Sequence, residues 1–229
     1  LCGTSFSKST ISALCSALDP AIDAFRNRPL EKWYPFVMVD AIFTKVREGG
    51  QVRSKGMMIA LGVNEEGRRE VLGFRCEDSE SEPGWSKFFS SLKDRGLSKV
   101  DVVVSDAHKG LVQAVRKCFQ GAAWQRCQTH FSRNVLDACP KRLKPELHES
   151  LKSLYSADDY KTAVLIKDHI VERFLESAPK AVNTLEEGFE DVLAVLSLPI
   201  SIRRRLRTTN GLERLNEELR RRERVIRIF

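Results

Sequence analysis

Apolar and polar positions follow two different periods along the chain, and the change of period divides it. Near the start, Ser9 or Thr10 is placed to cap a helix running through Ile11, Leu14 and Leu18, and Pro20 opens a second with Ile22 and Phe25. From Pro35 the pattern becomes that of strands. Phe36 to Val46 (FVMVDAIFTKV) is apolar and β-branched, Ser54 to Val63 is a second such run, and Glu70 to Arg75 is a third after the turn Asn64-Glu65-Glu66-Gly67. Short connections between the three predict an antiparallel meander. Pro83 then starts a helix with Trp85, Phe88, Phe89 and Leu92 on one side, ended by Gly96. A buried-type strand follows at Val100 to Ser105, then a helix carrying Leu111, Val112, Val115 and Phe119 inward. A fifth strand spans Ala122 to Cys127, and another helix begins near Thr129.

Residues 140 to 200 keep the helical period throughout. Pro145 opens a segment with Leu147, Leu151 and Leu154. Ser156 is expected to cap a longer one reaching Leu175, and Pro179 opens a third that Pro199 closes. A last helix runs from Thr208 or Thr209 to about Arg224, with Leu212, Leu215 and Leu219 as its apolar stripe. Three strands, helix, strand, helix, strand, then helices is the element order of an α/β ribonuclease-H-like fold: a mixed sheet flanked by helices and interrupted by an all-helical insertion. The organisation expected is a helical tail at 1–34, the first part of the core at 35–139, the insertion at 140–207, and a final core helix at 208–229. The start at Leu1 and the stop at Phe229 read as a fragment or a degenerate copy of something longer.

Composition narrows the class. An apolar fraction of 42% is that of a globular chain and argues against wholesale disorder. No apolar run is long enough to span a membrane as a helix. Six cysteines at 2, 15, 76, 118, 127 and 139 show no repeated spacing, so reduced thiols and a cytoplasmic setting are expected. The net charge of +7 permits a polyanionic partner. Its distribution says more, with ten arginines against four glutamates between Arg203 and Arg227. That run reads either as a solvated helix face or as a phosphate-binding one, since guanidinium grips phosphate through two donors.

Three acidic residues occupy costly positions. Asp40 interrupts an apolar strand, where a carboxylate needs either a cation or one wet face. Asp106 ends the Val102–Ser105 strand just before a helix, a place that suits either a ligand-binding acid or a helix N-cap. Glu213 borders the apolar stripe of the last helix, with Asn210, Glu217 and Arg220 on its face; alone it reads as an ordinary surface glutamate. Together the three suit a two-metal site, in which carboxylates on rigid elements converge on hard cations.

Several longer stretches carry a resemblance. They are Tyr34 to Ala41, Glu80-Ser81-Glu82 leading to Trp85, Leu92 to Leu97, Val104 to Leu111, Trp124 to His130 with Arg133-Asn134, and Arg207 to Asn216 running into Arg220-Arg221-Arg222. In that order they resemble the Mutator-type transposases of bacterial insertion sequences, and the resemblance covers nearly the whole chain. It implies a DDE transposase with a ribonuclease-H-like core and a helical insertion between the second aspartate and the glutamate. It maps the catalytic and metal-binding triad onto Asp40, Asp106 and Glu213, separated by 66 and 107 residues. The implied cofactor is a pair of Mg²⁺ ions, with Mn²⁺ as substitute, and the implied partners are DNA, both transposon ends and target, and further copies of the chain. Glu217 and Glu218 are rivals for the third ligand that do not match the family's motif.

The family's Cys-x-x-His element falls on Cys127 and His130. By itself it is half a zinc site, so His130, with Arg126 and Arg133, is expected to face DNA or to brace the active site. Trp124 either stacks on an unpaired base or packs beneath the insertion. Lys109, Arg203, Arg204, Arg205, Arg220, Arg221 and Arg222 complete the expected DNA contacts. The competing functions are a related nuclease that hydrolyses without strand transfer, and a domesticated, transposase-derived protein that only binds DNA.

Overall fold

The computed structural model describes residues 7–226. Two short helices, α1 (Lys8–Ser16) and α2 (Asp19–Asn27), precede the first strand. The cap of α1 is Ser7, whose hydroxyl accepts from Thr10 N at 3.1 Å, so neither Ser9 nor Thr10 fills that role. The strands β1 (Phe36–Glu48), β2 (Gln51–Val63) and β3 (Arg69–Glu77) form the expected antiparallel meander. After α3 (Glu82–Asp94), β4 (Val102–Ser105) pairs in parallel with β1. After α4 (Lys109–Cys118), β5 (Ala123–Arg126) pairs in parallel with β4. The sheet order is β3-β2-β1-β4-β5. A five-stranded mixed sheet in this order, with helices on it and a helical region after β5, is the ribonuclease-H-like α/β fold.

Side-chain alternation along β1 divides the core in two. Val37 and Val39 face one side and pack with Trp85, Phe88, Phe89 and Leu92 of α3 and with Leu111, Ala114 and Val115 of α4. Each of those large side chains contributes about 1.5–3 kcal/mol by leaving water. Helix α3 starts where Ser81 accepts Gly84 N at 3.2 Å and Pro83 occupies the first turn. Met38 faces the other way, into a cluster with Val102 and Val104 that is closed by Leu206 and Leu212. Asp40 follows Met38 at the strand period and so shares that second face.

Beyond β5 the chain runs through α5 (Gln128–Asp137), α6 (Lys144–Tyr155), α7 (Tyr160–Phe174) and α8 (Pro179–Gly188). These pack around a core of their own, from Phe131 through Leu151, Phe174 and Leu185 to Leu193. Two details differ from the sequence expectation. Ser156 lies at the C-terminal end of α6, and the cap of α7 is Asp159, whose carboxylate accepts Thr162 N at 2.8 Å. The third helix does not reach Pro199; it stops at Gly188 and gives way to 3₁₀ turns at Glu190–Val192 and Ala194–Ser197. The cause is Gln125 on β5, fully buried, which donates to Val192 O at 2.9 Å and accepts Val195 N at 2.8 Å. Those backbone groups therefore serve the sheet rather than a helix ladder. A short helix, α9 (Ile200–Leu206), then leads to α10 (Asn210–Ile226).

Candidate active site

The parallel register of β1 and β4 places the first two acids side by side. Met38 pairs with Val104, an offset of 104 − 38 = 66 residues, and Asp106 − Asp40 gives the same 66. β4 ends at Ser105, and the same offset carried past its end brings Asp106 level with Asp40, across a strand spacing of about 4.8 Å. Both lie on the face that α10 covers. The side chains of Asp40, Asp106 and Glu213 line one cavity of about 310 Å³, together with His130, Arg133, Asn216, Glu217 and Arg220.

Helix α10 is tied to β1 at two levels. Asn216 donates to Asp40 Oδ2 at 2.8 Å, and Thr44 donates to Glu223 at 2.5 Å. Seven residues of helix advance roughly 10 Å and four residues of strand about 13 Å, so the two anchors hold the elements side by side. Asn216 sits three residues after Glu213 and therefore on its face, so this docking aims Glu213 at the sheet. The start of α10 is set from another direction. Thr209, fully buried, donates its backbone N at 3.4 Å and its hydroxyl at 3.3 Å to Cys127 Sγ, while Gln128 N donates to Arg207 O at 2.9 Å. Cys127 and Gln128 thus hold the end of β5 against the loop that begins α10.

The electrostatics of the pocket favour a cation. Burial raises the Asp40 carboxyl from the ordinary 3.8 to about 6; the Ala41 N–H, donating at 2.9 Å, and His130 oppose the rise, while Asp106 and Glu213 add to it. Glu213 Oε1 is buried with no hydrogen-bond partner, although His130 Nε2 lies 3.5 Å away. The His130 imidazole is raised to about 9, chiefly by the Cys127 thiol, against the cost of burial and with help from Asp40 and Glu213. Burial pushes the Cys127 thiol up, but hydrogen bonds from His130 and Thr209 outweigh it and the net shift is downward. Ligand atoms of Cys127, His130 and Glu213 lie within 4.8 Å of one another, and among the described residues no fourth acid, thiol or imidazole joins them. A structural zinc takes four protein ligands, so this trio is better read as a brace on Glu213. The donor set of the acids is all oxygen, one oxygen is buried and unpaired, and the carboxylates repel one another. The residues fit hard divalent cations such as Mg²⁺ or Mn²⁺.

The other expected contacts divide. Arg133 and Arg220 line the acid pocket, and Lys109, Arg204 and Arg205 are exposed. Arg221 and Arg222 are exposed and both clasp Glu218 at 2.8 Å, which also removes Glu218 as a rival ligand, whereas Glu217 stays in the pocket lining. Arg203 is engaged inside the protein: its guanidinium donates to Leu198 O, Asp158 O and Leu196 O at 2.6–2.9 Å and ties α9 to the connection before α7. Trp124 packs against the α3–α4 core and donates to Ser105 Oγ at 2.9 Å, so its ring is taken up by packing on the sheet rather than under the insertion. Arg126 lies over the Phe131 ring at 4.7 Å, half-buried between β5 and the helical region.

Sequence reasoning missed Asn216 and Glu80. The Glu80 carboxyl is raised by burial and then by Asp106, with Asp40 contributing, and His108 Nδ1 stands 3.7 Å from it. It reaches the acids because α4 begins hard against the start of α3. A Cβ on Gly110 would meet Glu80 O and Glu82 N at 2.8 Å, a contact only glycine allows. Both residues lie inside the stretches that carry the resemblance, but neither stands in a position that is costly by itself.

Fold and pocket define a ribonuclease-H-like protein with a carboxylate-lined site where β1 and β4 meet α10. The sequence profile described as "Transposase, Mutator family" matches residues 1–229, and the chain belongs to that family. It is 43% identical over 232 residues to the transposase for insertion sequence element IS256 in transposon Tn4001 of Staphylococcus aureus, covering 100% of this chain and 59% of that protein. It is 41% identical over 229 residues to the transposase for ISRM5 of Rhizobium meliloti, covering 100% and 58%. Against the transposase for IS1081 of Mycobacterium tuberculosis it is 41% identical over 227 residues, covering 99% and 55%. The chain therefore spans somewhat over half the length of these relatives.

Proposed function

We propose that this chain carries the catalytic core of a DDE transposase, which cuts and joins DNA during transposition of an insertion sequence. The observation that supports it most is the register identity of Asp40 and Asp106, with Glu213 brought to the same cavity by the Asn216–Asp40 bond. In the cleavage step the oxygen of water attacks a backbone phosphorus and the bond to the 3′ oxygen breaks. In the joining step the freed 3′ hydroxyl attacks a target phosphodiester and displaces its 3′ oxygen. Asp40, Asp106 and Glu213 are the residues that would hold two Mg²⁺ ions, or Mn²⁺ in their place. When bound, such ions supply Lewis-acid stabilisation of the phosphoryl oxygens and of the attacking and leaving oxygens. The chain's own residues hold the geometry. The Ala41 N–H and the Asn216 amide fix the two oxygens of Asp40, His130 braces Glu213, and Arg133 and Arg220 present donors to the phosphate.

On this reading residues 35–139 and 208–229 form the core and 140–207 the insertion, and the protein works on chromosomal DNA in the cytoplasm as a homo-oligomer. Among the described residues no helix is long and apolar enough to cross a membrane. The test is a nicking and strand-transfer assay in Mg²⁺ with Asp40→Asn, Asp106→Asn and Glu213→Gln. Each is expected to lose about 100-fold or more, the scale on which removal of one preorganised charge-stabilising group acts. A variant with the parent's rate would remove its residue from the triad.

A further inference from the structure

Outside the acid pocket a positively charged groove of about 850 Å³ lies between α5, α6 and the segment joining α9 to α10. Five lysine and arginine side chains line it against a single carboxylate, Asp137. Three positively charged or titratable residues of α6, Lys144, His148 and Lys152, recur every four residues and form one stripe along the helix. Eight residues of helix make that stripe about 12 Å long, the rise of three to four nucleotides in one strand. Arg204 and Arg207 line the groove from the α9 side. Arg133 belongs to both linings, that of the groove and that of the acid pocket, so the two hollows meet at its side chain.

We propose that this groove is the track for one DNA strand, held by its phosphate backbone as it continues from the acid pocket past Arg133 and along α6. The proposal rests on the transposase reading above and adds the path of the substrate and the part the helical region plays in holding it. Charge complementarity selects the occupant, and the lining has one aromatic side chain, Tyr155, so it grips a backbone rather than stacking bases. The ion pairs now on the stripe, Lys144 with Asp137 at 3.4 Å and Lys152 with Glu149 at 2.7 Å, are between partly exposed groups, which exchange readily for phosphate.

The experiment measures binding of the whole chain to a labelled mixed-sequence 20-nucleotide strand across a salt series, in Ca²⁺. The triple variant Lys144→Ala, Lys152→Ala, Arg204→Ala is compared with Lys87→Ala, Lys161→Ala, Lys180→Ala, which removes the same charge from exposed positions outside the groove. Three lost phosphate contacts should flatten the log–log salt slope by about two units and weaken binding at least about tenfold at physiological salt, with the control within about threefold of the parent. Equal losses in both variants, no loss in the groove variant, no binding by the parent, or displacement of the strand by polyglutamate at matched charge would each overturn the proposal. Asp106→Asn separates the two readings. It should bind with the parent's slope yet fail to nick. Nicking at the parent's rate would sink the catalytic assignment while leaving the groove to be judged by its binding arm.

Discussion

At the scale of single residues, the cost of Asp40 is the most informative quantity in the molecule. Its carboxyl is raised from 3.8 to about 6, first by burial. Between about pH 4 and pH 6 the folded chain therefore holds a proton that the unfolded chain has released. Stability falls as pH rises through that window and the penalty is complete above it. Asp40→Asn removes the penalty. The new side-chain amide can meet the Asn216 Oδ1, which is buried and unpartnered in the parent, once the Asn216 amide turns over. In EDTA at pH 7.5 the variant should be more stable by up to about 3 kcal/mol, and the difference should shrink to nothing near pH 4. Urea unfolding across pH reads this directly, and a pH-independent difference would mean that Asp40 is not titrating against burial. Asp40 and Asp106 were legible in the sequence because an acid inside or ending an apolar strand is costly on its face. Asn216 and Glu80 were not, because an amide on a charged helix and a glutamate in a polar loop cost nothing until the tertiary fold brings other groups to them.

Among elements, β5 carries more than its four residues imply. Gln125 supplies three hydrogen bonds, to Arg126 O, Val192 O and Val195 N, and so pins the exit of the helical region to the sheet. Gln125→Leu keeps the volume but strands the Val195 N–H in a buried place. Gln128, also donating to Val192 O at 3.0 Å, covers part of the loss. A destabilisation of about 2–3 kcal/mol is expected, with an unchanged denaturant slope if the two regions still unfold together. Most of the element set was readable from periodicity: five strands, the helices between them and the final helix fall within a few residues of where the apolar pattern put them. The misplacements at the caps of α1 and α7 and at the end of α8 all occur where a polar side chain sets the boundary. The caps are local contacts that compete with neighbouring candidates, whereas the Gln125 contact spans 70 residues and is invisible in a linear pattern.

At the scale of the molecule, the acids of the pocket come from β1, from the residue after β4 and from α10, which are far apart in the chain. An ion bound there joins all three and binds only the folded state. Mg²⁺ or Mn²⁺ at 100 times its dissociation constant should add about 2.7 kcal/mol, raising the unfolding midpoint by about 5–10 °C for a chain of this size. Glu213→Gln and Asp106→Asn should lose most of that shift while Lys87→Ala keeps it. An equal shift in all four proteins would place the ions elsewhere.

The sequence by itself determined most of the elements and marked Asp40 and Asp106 as candidates, because each of these depends on local period or on the cost of a charge among apolar neighbours. It also held the interval of 66 residues between Asp40 and Asp106, but that number acquires meaning only when β1 and β4 pair with the same offset. Only the tertiary structure decided that Glu213 faces the acids: the stripe Leu212, Leu215 and Leu219 gives the helix an inward side that Glu213 merely borders, and its rotation is fixed where Asn216 meets Asp40 and Thr209 meets Cys127. It also sorted the arginines. Identical in sequence terms, Arg203 closes on protein carbonyls, Arg221 and Arg222 on Glu218, and Arg220 on the acid pocket, because a guanidinium takes whichever acceptors its backbone position brings within reach.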